Sequence, residues 1–518
     1  MATIHENYLK QFLDKHNNQS YLGTQLIDIL HEQFPELTQT NCRRIIYNAL
    51  QHALIRSSAP MTFGNNQYAY FSEATDFGYE ILSEHIQTYK KALHRVIFAL
   101  FRNNGVLTFL EAQKISGATL TNESHSVSFD SILNDLHMLQ LIETHRIGET
   151  CFITQKRMAS SCIAGTYSDL KNMNLLLNLS LNWLVRTNMI DAKQLCYMGE
   201  SNAYNGIERN NEIWDAFGFS NAVGLGNRDK EFQTVVLIDF LSNHTYEEYD
   251  FSGFKERVDR VIYSTSRESR KTHRKVLPII FSHEISPAAL SLIKKSGYLY
   301  FNITSLLGKN ALDITRNFTT NISRIEEKIY NKDSDFEREI ADSLNEIRES
   351  GNETNYGNLK GQLFEYLMYP VIQKIYGQNA IITHSFSGSM DNKKFECDYL
   401  VETDEENVVI ELKGYDKGNI IMKGVFEQST QKYTPNSVLW FLNQTFHLCC
   451  RLLGTRKFNR FCYITTADLS EDAKNELLSR KRNKPSKLEC FYTHDSLLKL
   501  LEQYEMENEI KVIKQFYM

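Results

Sequence analysis

Two apolar runs flank a short polar turn in the last third of the chain: FECDYLV at residues 395–401, TDEEN at 403–407 and VVIELK at 408–413. Runs of this length on either side of a polar turn predict a β-hairpin. Residues two apart on a strand point to the same face, so Glu411 and Lys413 project together while Leu412 turns into the core. Pairing across the turn brings Asp398, on the first strand, beside Glu411.

Two adjacent carboxylates and an ammonium group suit metal-assisted hydrolysis of a phosphodiester. Mg²⁺ takes few protein oxygens and keeps waters and substrate phosphate in its shell. It polarises the phosphate and lowers the pKa of a bound water, and a neighbouring ammonium orients that water or neutralises developing charge. The competing interpretation is a surface pair on an exposed strand. The apolar run before Glu411 favours the functional interpretation, because buried charges are costly unless they are paired or metal-bound.

The segment from about Gly357 to Tyr504 resembles the restriction-endonuclease-like, PD-(D/E)XK superfamily, and within it the Mrr-like branch. The residues that carry the resemblance are Gly361, Phe364-Glu365, Asp398, Glu411-x-Lys413, Val425-Phe426-Glu427-Gln428, Gln431, Tyr433 and the stretch FCYITTADLSEDA at 461–473. It implies an α/β nuclease domain with Mg²⁺ as cofactor, for which Mn²⁺ can substitute. By this resemblance residues 425–433 belong to the helix that follows the core.

The resemblance also implies a role for each motif residue. Asp398 and Glu411 bind the metal with the Leu412 carbonyl, and Lys413 is catalytic. Glu365 orients a water or a second metal. Gln428 or Gln431 contacts phosphate or positions Lys413, although an exposed helix residue is an equally good interpretation of Gln428.

The first 155 residues contain two copies of one pattern, three helices followed by a hairpin. The copies span about 8–71 and 92–154, and this order is typical of a winged helix-turn-helix. The recognition helix of the first copy presents Gln39, Asn41, Arg43 and Arg44, which favours DNA contact. The alternative is a protein–protein or dimerisation module. The second copy has an acidic helix that suits DNA poorly.

Residues 166–307 alternate between helical and strand patterns, which predicts an open sheet covered by helices. Asp215 stands where Asp398 does in the later segment, and VVLID at 235–239 parallels VVIE at 408–411. Leu241 replaces the lysine, so this region is predicted to be a degenerate, inactive nuclease-like domain that serves dimerisation or substrate binding. The alternative is an unrelated α/β domain.

These patterns predict a multidomain chain: tandem winged helix-turn-helix (α+β) units followed by two α/β restriction-endonuclease-like domains, the first degenerate. The expected boundaries are 1–75 and 85–157 for the winged helices, 165–309 for the degenerate domain, 310–350 for a helical linker and 355–518 for the nuclease domain. A length of 518 residues is too great for one core.

Composition bears on possible metal sites, disulfides and the cellular compartment. The formal net charge of -6 neither indicates nor excludes nucleic acid. The 9 cysteines form no CxxC pair, which argues against a zinc site or a disulfide framework. We expect no signal peptide and no membrane span, and hence a reducing cytoplasm.

The predicted function is a metal-dependent endonuclease that hydrolyses nucleic-acid phosphodiester bonds, with DNA as the expected substrate and RNA left open. The resemblance to the Mrr-like branch implies a place in restriction or anti-phage defence. A homodimer is expected because one site cuts one strand, and a partner subunit of a defence system is a further expected contact. Two alternatives remain: a non-catalytic nucleic-acid-binding or regulatory protein, and a nuclease effector that a partner or ligand switches on.

Overall fold

The protein is multidomain and α/β. A computed structural model describes residues 3–121, 126–199, 204–220, 233–267, 275–331, 336–390, 393–416, 418–428, 432–454, 456–481 and 486–517. The chain forms two compact units, Met1–Leu306 and Leu307–Met518. The five segments proposed from sequence are a finer division, and their boundaries stay a prediction.

The first unit begins with helices and a small sheet in the order β1-β3-β2. Its elements are α1 (Ile4–Lys15), β1 (Tyr21–Leu22), α2 (Gly23–Gln33), α3 (Gln39–Gln51), β2 (Ile55–Ser57), β3 (Ala69–Ser72) and α4 (Tyr79–Tyr89). Thr38 caps α3, since its side chain accepts a hydrogen bond from the Asn41 N–H. The predicted order of three helices and a hairpin is therefore present in this region.

A second group of the same order follows, with its sheet in the order β4-β6-β5. It comprises α5 (Lys91–Arg102), β4 (Val106–Thr108), α6 (Phe109–Ser116), α7 (Phe129–Met138), β5 (Ile142–Ile147) and β6 (Thr150–Gln155). Helix α6 is capped by Thr108 and ends at Gly117, which has a left-handed φ of 63°. Every residue of α6 from Leu110 to Ser116 is buried, so this helix is interior to the unit.

The rest of the first unit is built on a five-stranded sheet in the order β13-β12-β11-β10-β7. Its elements are α8 (Ser160–Arg186), a 3₁₀ turn (Ala192–Gln194), β7 (Cys196–Tyr197), β8 (Ile207–Arg209), β9 (Glu212–Trp214), β10 (Ala216–Ser220), β11 (Thr234–Leu241), α9 (Glu248–Arg267), β12 (Val276–Ser282), α10 (Pro287–Ser296), β13 (Leu299–Asn302) and α11 (Ile303–Leu307). Strand β10 is antiparallel to β7 and β11, whereas β11, β12 and β13 run parallel.

The second unit contains a five-stranded sheet in the order β14-β15-β16-β20-β22. Its elements are α12 (Ala311–Tyr330), α13 (Glu337–Glu349), α14 (Gly357–Tyr376), β14 (Ile381–Met390), β15 (Lys393–Glu402), β16 (Glu406–Lys413), β17 (Ile420–Ile421), β18 (Phe426–Glu427), β19 (Lys432–Tyr433), α15 (Val438–Trp440), a π-helical stretch (Phe441–Phe446), α16 (His447–Leu453), β20 (Phe458–Thr465), β21 (Asp468–Leu469), α17 (Glu471–Ser479), β22 (Phe491–Tyr492), α18 (His494–Gln503) and α19 (Glu507–Phe516).

The two five-stranded sheets share one pattern of strand directions. In the second unit β15 is antiparallel to β14 and β16, while β16, β20 and β22 run parallel. Followed from the opposite edge, the first unit's sheet has the same sequence of two antiparallel and two parallel pairings. Strand β16 therefore corresponds to β11, and β20 corresponds to β12.

The described residues of the segment 425–433, which are 425–428 and 432–433, are not helical, contrary to the sequence prediction. Strands β18 and β19 pair antiparallel there, and the Phe426 and Tyr433 rings pack with their centroids 4.8 Å apart. Aromatic and β-branched residues favour extended backbone, which explains the difference. The helix begins later, at α15, where the Ser437 side chain accepts a hydrogen bond from the Trp440 N–H.

Across the described ranges, no helix combines the length and the apolarity needed to cross a bilayer.

Candidate active site

The pairing of β15 with β16 places Asp398 beside Glu411. Tyr399 is paired with Ile410, so the next pair in the same register is Asp398 with Glu411. The Leu412 N–H donates to Asp398 Oδ2 at 2.5 Å, while the Leu412 side chain is buried. The backbone therefore forms the hairpin that the sequence predicted. The Leu412 carbonyl lies on β16 between Glu411 and Lys413.

Lys413 lies on the same face of β16 as Glu411. Its Nζ is 2.7 Å from Glu411 Oε1, and the two side chains are 17% and 15% exposed. The Thr465 hydroxyl donates to the Lys413 carbonyl at 2.9 Å, which ties the end of β16 to β20. The next residue is Gly414, where an added Cβ would lie 2.5 Å from Phe364 Cβ. Glycine thus lets β16 end against α14.

Glu365, on α14, lies near enough to Asp398 for its charge to raise the pKa of that carboxyl, in addition to burial and Glu411. Its carbonyl oxygen accepts a hydrogen bond from the Tyr399 hydroxyl at 3.1 Å, and its carboxylate lies 3.6 Å from His384 Nε2. The His384 ring packs against Tyr366 and Tyr399 at centroid distances of 4.9 and 5.0 Å. Sequence reasoning missed His384, because a lone histidine in the polar pattern of β14 gives no signal of its neighbours.

The electrostatic environment of the two carboxylates is negative. Burial raises the pKa of Asp398 well above its usual value; the neighbouring Glu411 and Glu365 raise it further, and Lys413 lowers it. Burial also raises the pKa of Glu411, against the opposing effect of Lys413. Since both net shifts are upward, the ammonium group of Lys413 does not offset the cost of holding two charged carboxylates here.

A divalent cation fits this donor set. Mg²⁺ is commonly held by one or two carboxylates, with water and substrate phosphate completing its shell. Asp398 and Glu411 supply that number, and a cation would oppose the burial and the neighbouring carboxylates that raise the pKa of both groups. Within the described residues no group of three or more His, Cys, Asp and Glu side chains is arranged to hold a metal, so a site here depends on solvent and substrate oxygens.

Among the described residues, the other members of the predicted site do not join this cluster. Gln428 is exposed in the turn that follows β18. Gln431 lies outside the described residues. Asn41, Arg43 and Arg44 are exposed on α3 in the first unit. The same helix exposes 61% of Tyr47, a residue that the sequence analysis did not select, although it follows Arg43 by one helical turn.

The corresponding place in the first unit is filled by a lysine from elsewhere in the chain. In the register of β10 with β11, Asp215 falls opposite Asp239, and the Phe240 N–H donates to Asp215 Oδ2 at 2.7 Å. Lys114, on α6, places its Nζ 2.5 Å from Asp215 Oδ2 and 3.2 Å from Asp239 Oδ1. Leu241 stands at the strand position where the lysine was expected, and Lys114 of α6 instead brings an ammonium group to the two aspartates.

A second cation completes that cluster. Arg257 Nη2 lies 3.0 Å from Asp239 Oδ1, and the Tyr246 hydroxyl donates to Asp239 Oδ2 at 2.8 Å. Burial raises the pKa of Asp239, but Lys114 and Arg257 outweigh it and the net pKa is lowered. Here two aspartates face two cations, all of them buried. Burial and Asp239 nevertheless hold the pKa of Asp215 above its usual value, against the effect of Lys114. By count of charges the cluster is balanced without a metal, with two carboxylates and two cations, unlike the pair at Asp398 and Glu411.

Comparisons with known proteins give little. No family model and no curated protein matches the chain. A solved structure, the crystal structure of a repair endonuclease from Pyrococcus abyssi, matches with 13% identity and a TM-score of 0.17. The match covers 30% of this chain and 51% of the other, so the chain spans about half the length of that structure. A TM-score this low carries no argument about fold or function.

Proposed function

We propose that the second unit is a metal-dependent phosphodiesterase of the PD-(D/E)XK type, and that the chain acts as an endonuclease. One observation carries the proposal: Asp398 and Glu411 share a half-buried face with Lys413, so two carboxylates lie beside one ammonium group. Structural ion pairs are usually balanced, as the cluster at Lys114 is. An unbalanced pair with a lysine beside it fits a site that binds Mg²⁺ or Mn²⁺.

Each residue then has a distinct task. Asp398 and Glu411, with the Leu412 carbonyl, hold the cation, which supplies Lewis-acid activation of the phosphate and of a bound water. The Lys413 ammonium sits beside Glu411 and stabilises negative charge on the reacting phosphate. Glu365 orients solvent from α14, with its carboxylate steadied by His384. Gln428 and Gln431 are kept as candidate phosphate contacts.

DNA is the proposed substrate, on the basis of the first three-helix group. We infer that this group is a winged helix-turn-helix, whose helix α3 presents Asn41, Arg43 and Arg44 to solvent. Exposed arginines on such a helix suit phosphate and base contacts. The corresponding helix of the second group, α7, carries Asp135, which pairs with Lys90 at 2.7 Å.

For the second group, a contact within the protein is the better proposal. Its helix α6 is buried and sends Lys114 into the neighbouring sheet. An added Cβ at Gly253 of α9 would lie 2.2 Å from the Lys114 carbonyl oxygen, so α6 and α9 approach backbone to backbone. We propose that this group is a docking module for a charge-balanced, non-catalytic sheet.

Assembly as a homodimer follows from the chemistry proposed. One site cuts one strand, so a double-strand break needs two sites, most simply in a two-fold pair. Light scattering with and without DNA measures the assembly directly. A role in restriction or anti-phage defence, with a partner subunit, is part of the proposal and rests on the Mrr-like motif of the second unit.

The deciding experiment is a cleavage assay on plasmid, linear duplex, single-stranded DNA and RNA with Mg²⁺, Mn²⁺ or EDTA. We expect cleavage of DNA that needs metal and that Asp398→Asn abolishes. A matched control is Asp416→Asn, on the exposed loop beyond β16. A wild-type protein that cuts none of these substrates with either metal would overturn the proposal and leave the non-catalytic alternative.

A further inference from the structure

A buried tyrosine stands beside the candidate site with its hydroxyl unused. Strand β20 pairs in parallel with β16, and in that register Tyr463 is the partner of Glu411. Paired residues of adjacent strands project to the same face, so the Tyr463 ring lies on the face that carries Glu411 and Lys413. Its side chain is 1% exposed, and its hydroxyl has no hydrogen-bond partner among the described residues.

Packing does not require that hydroxyl. In the first unit the matching position of the matching strand, the partner of Asp239, is Ile280, which is fully buried. The same sheet pattern therefore packs an aliphatic side chain there. The Tyr463 ring itself packs against Phe441 at a centroid distance of 5.5 Å. A phenol in place of an aliphatic residue adds a polar atom whose burial without a partner is destabilising.

The charged groups of the candidate site act on the Tyr463 hydroxyl. Burial raises the pKa of Tyr463, Lys413 lowers it, and Glu411, Tyr415 and Asp398 raise it further. The net shift is upward, so the phenol stays protonated and remains a donor. Buried polar groups that lack a protein partner are commonly satisfied by an ordered water, which makes about three hydrogen bonds.

We propose that Tyr463 is a positioning residue whose hydroxyl donates a hydrogen bond to a water held beside Glu411 and Lys413. This inference rests on the proposed phosphodiesterase function, in which that water is the one delivered to the phosphate. The water accepts the hydrogen bond from Tyr463 and offers its own protons to Glu411. Tyr463 thereby fixes the direction of the water's lone pairs, and no bond to Tyr463 forms or breaks.

The test compares Tyr463→Phe with Tyr376→Phe. Tyr376 is also buried, and its hydroxyl likewise lacks a hydrogen-bond partner in the described structure. The groups that act most strongly on its pKa are Cys462, Glu406 and Tyr492, none of them in the site. Both substitutions remove one orphaned hydroxyl and keep the ring, so both should leave thermal stability unchanged or slightly raised.

The two variants should differ in turnover. We expect Tyr463→Phe to lower kcat about 10- to 100-fold with KM unchanged, the range seen when a supporting hydrogen bond at a metal site is removed. Tyr376→Phe should cut at the wild-type rate. If Tyr463→Phe also cuts at the wild-type rate, or loses activity only in proportion to a fall in melting temperature, the inference is overturned while the proposed function stands. If the wild type cuts nothing with Mg²⁺ or Mn²⁺, both fall together.

Discussion

Replacing Lys114 with methionine tests whether the ion pairs of this residue stabilise the folded first unit. The substitution keeps the length of the apolar stem and removes the ammonium group. Asp215, which is fully buried, then keeps only its hydrogen bond from the Phe240 N–H, while Asp239 keeps Arg257 and Tyr246. Breaking a buried ion pair from one side costs about 3–5 kcal/mol, so we expect a loss of that size in the free energy of unfolding.

The assay is urea unfolding of the full chain followed by tryptophan fluorescence. The chain has 3 tryptophans, and in a Trp440→Phe background the two that remain lie in the first unit. Trp214 is well placed as a reporter, because the Arg257 guanidinium lies 4.9 Å from the centre of its ring. The matched control is Lys255→Met. Lys255 pairs with Asp259 on the surface of α9, where exposed pairs of this spacing contribute about 0.3–0.5 kcal/mol.

Two further measurements distinguish the loss of the Lys114 ion pairs from a loss of side-chain packing. In Lys114→Met the pKa of Asp215 rises further, so the folded state binds a proton that the unfolded state has released. The stability defect should therefore be larger at pH 8 than at pH 5. Adding Asp215→Asn should recover part of the loss, because the neutral amide still accepts from the Phe240 N–H. If Lys114→Met loses no more stability than Lys255→Met, the buried ion pairs of Lys114 do not stabilise the first unit.

Three other predictions concern the second unit and the first helical group. Glu411→Gln and Lys413→Met should each lower the cleavage rate by at least about 10²-fold, while circular dichroism and DNA affinity stay near wild type; retained cleavage by both would contradict the site. The affinity for Mg²⁺, measured by calorimetry, should increase with pH across the raised pKa of Asp398, because binding must displace that proton; an affinity independent of pH would show that the carboxyl is not a ligand. Arg43→Ser with Arg44→Ser should reduce the slope of log K for DNA against log salt by about 2, one unit for each arginine that no longer neutralises a phosphate; an unchanged slope would indicate that α3 does not face DNA.

Local patterns predicted the elements that depend on nearby residues. The hairpin around residues 403–407 follows from two apolar runs and a polar turn. Asp398, Glu411 and Lys413 could be placed together because they lie on one hairpin, where the period of a strand fixes which side chains share a face. Their roles as ligands and catalyst stay predictions.

Contacts between distant segments could not be predicted in this way. Lys114 is 101 residues from Asp215, and nothing in the sequence around α6 marks it as an ion-pair partner. His384 lies on β14, whose mixed pattern of exposed and half-buried residues gave no strand prediction. The segment 425–433 was assigned to a helix by resemblance, although Phe426 and Tyr433 favour the strand pair that forms.

The two sheets allow the proposed catalytic site to be compared with a cluster of ion pairs on the same strand pattern. In both sheets two carboxylates lie opposite each other. The Phe240 N–H, which follows Asp239, donates to Asp215, and the Leu412 N–H, which follows Glu411, donates to Asp398. In the first unit Lys114 and Arg257 bring two positive charges, and Ile280 fills the neighbouring strand position. In the second unit Lys413 opposes the carboxylates without offsetting them, and Tyr463 leaves a donor unsatisfied at that position. A surplus of negative charge and an idle donor both cost stability, and both are what a cation and a water would satisfy. Unpartnered atoms occur in both clusters, since Asp215 Oδ1 and Arg257 Nε also have no hydrogen-bond partner among the described residues. The balance of charge is therefore the feature that distinguishes the site proposed to bind a cation.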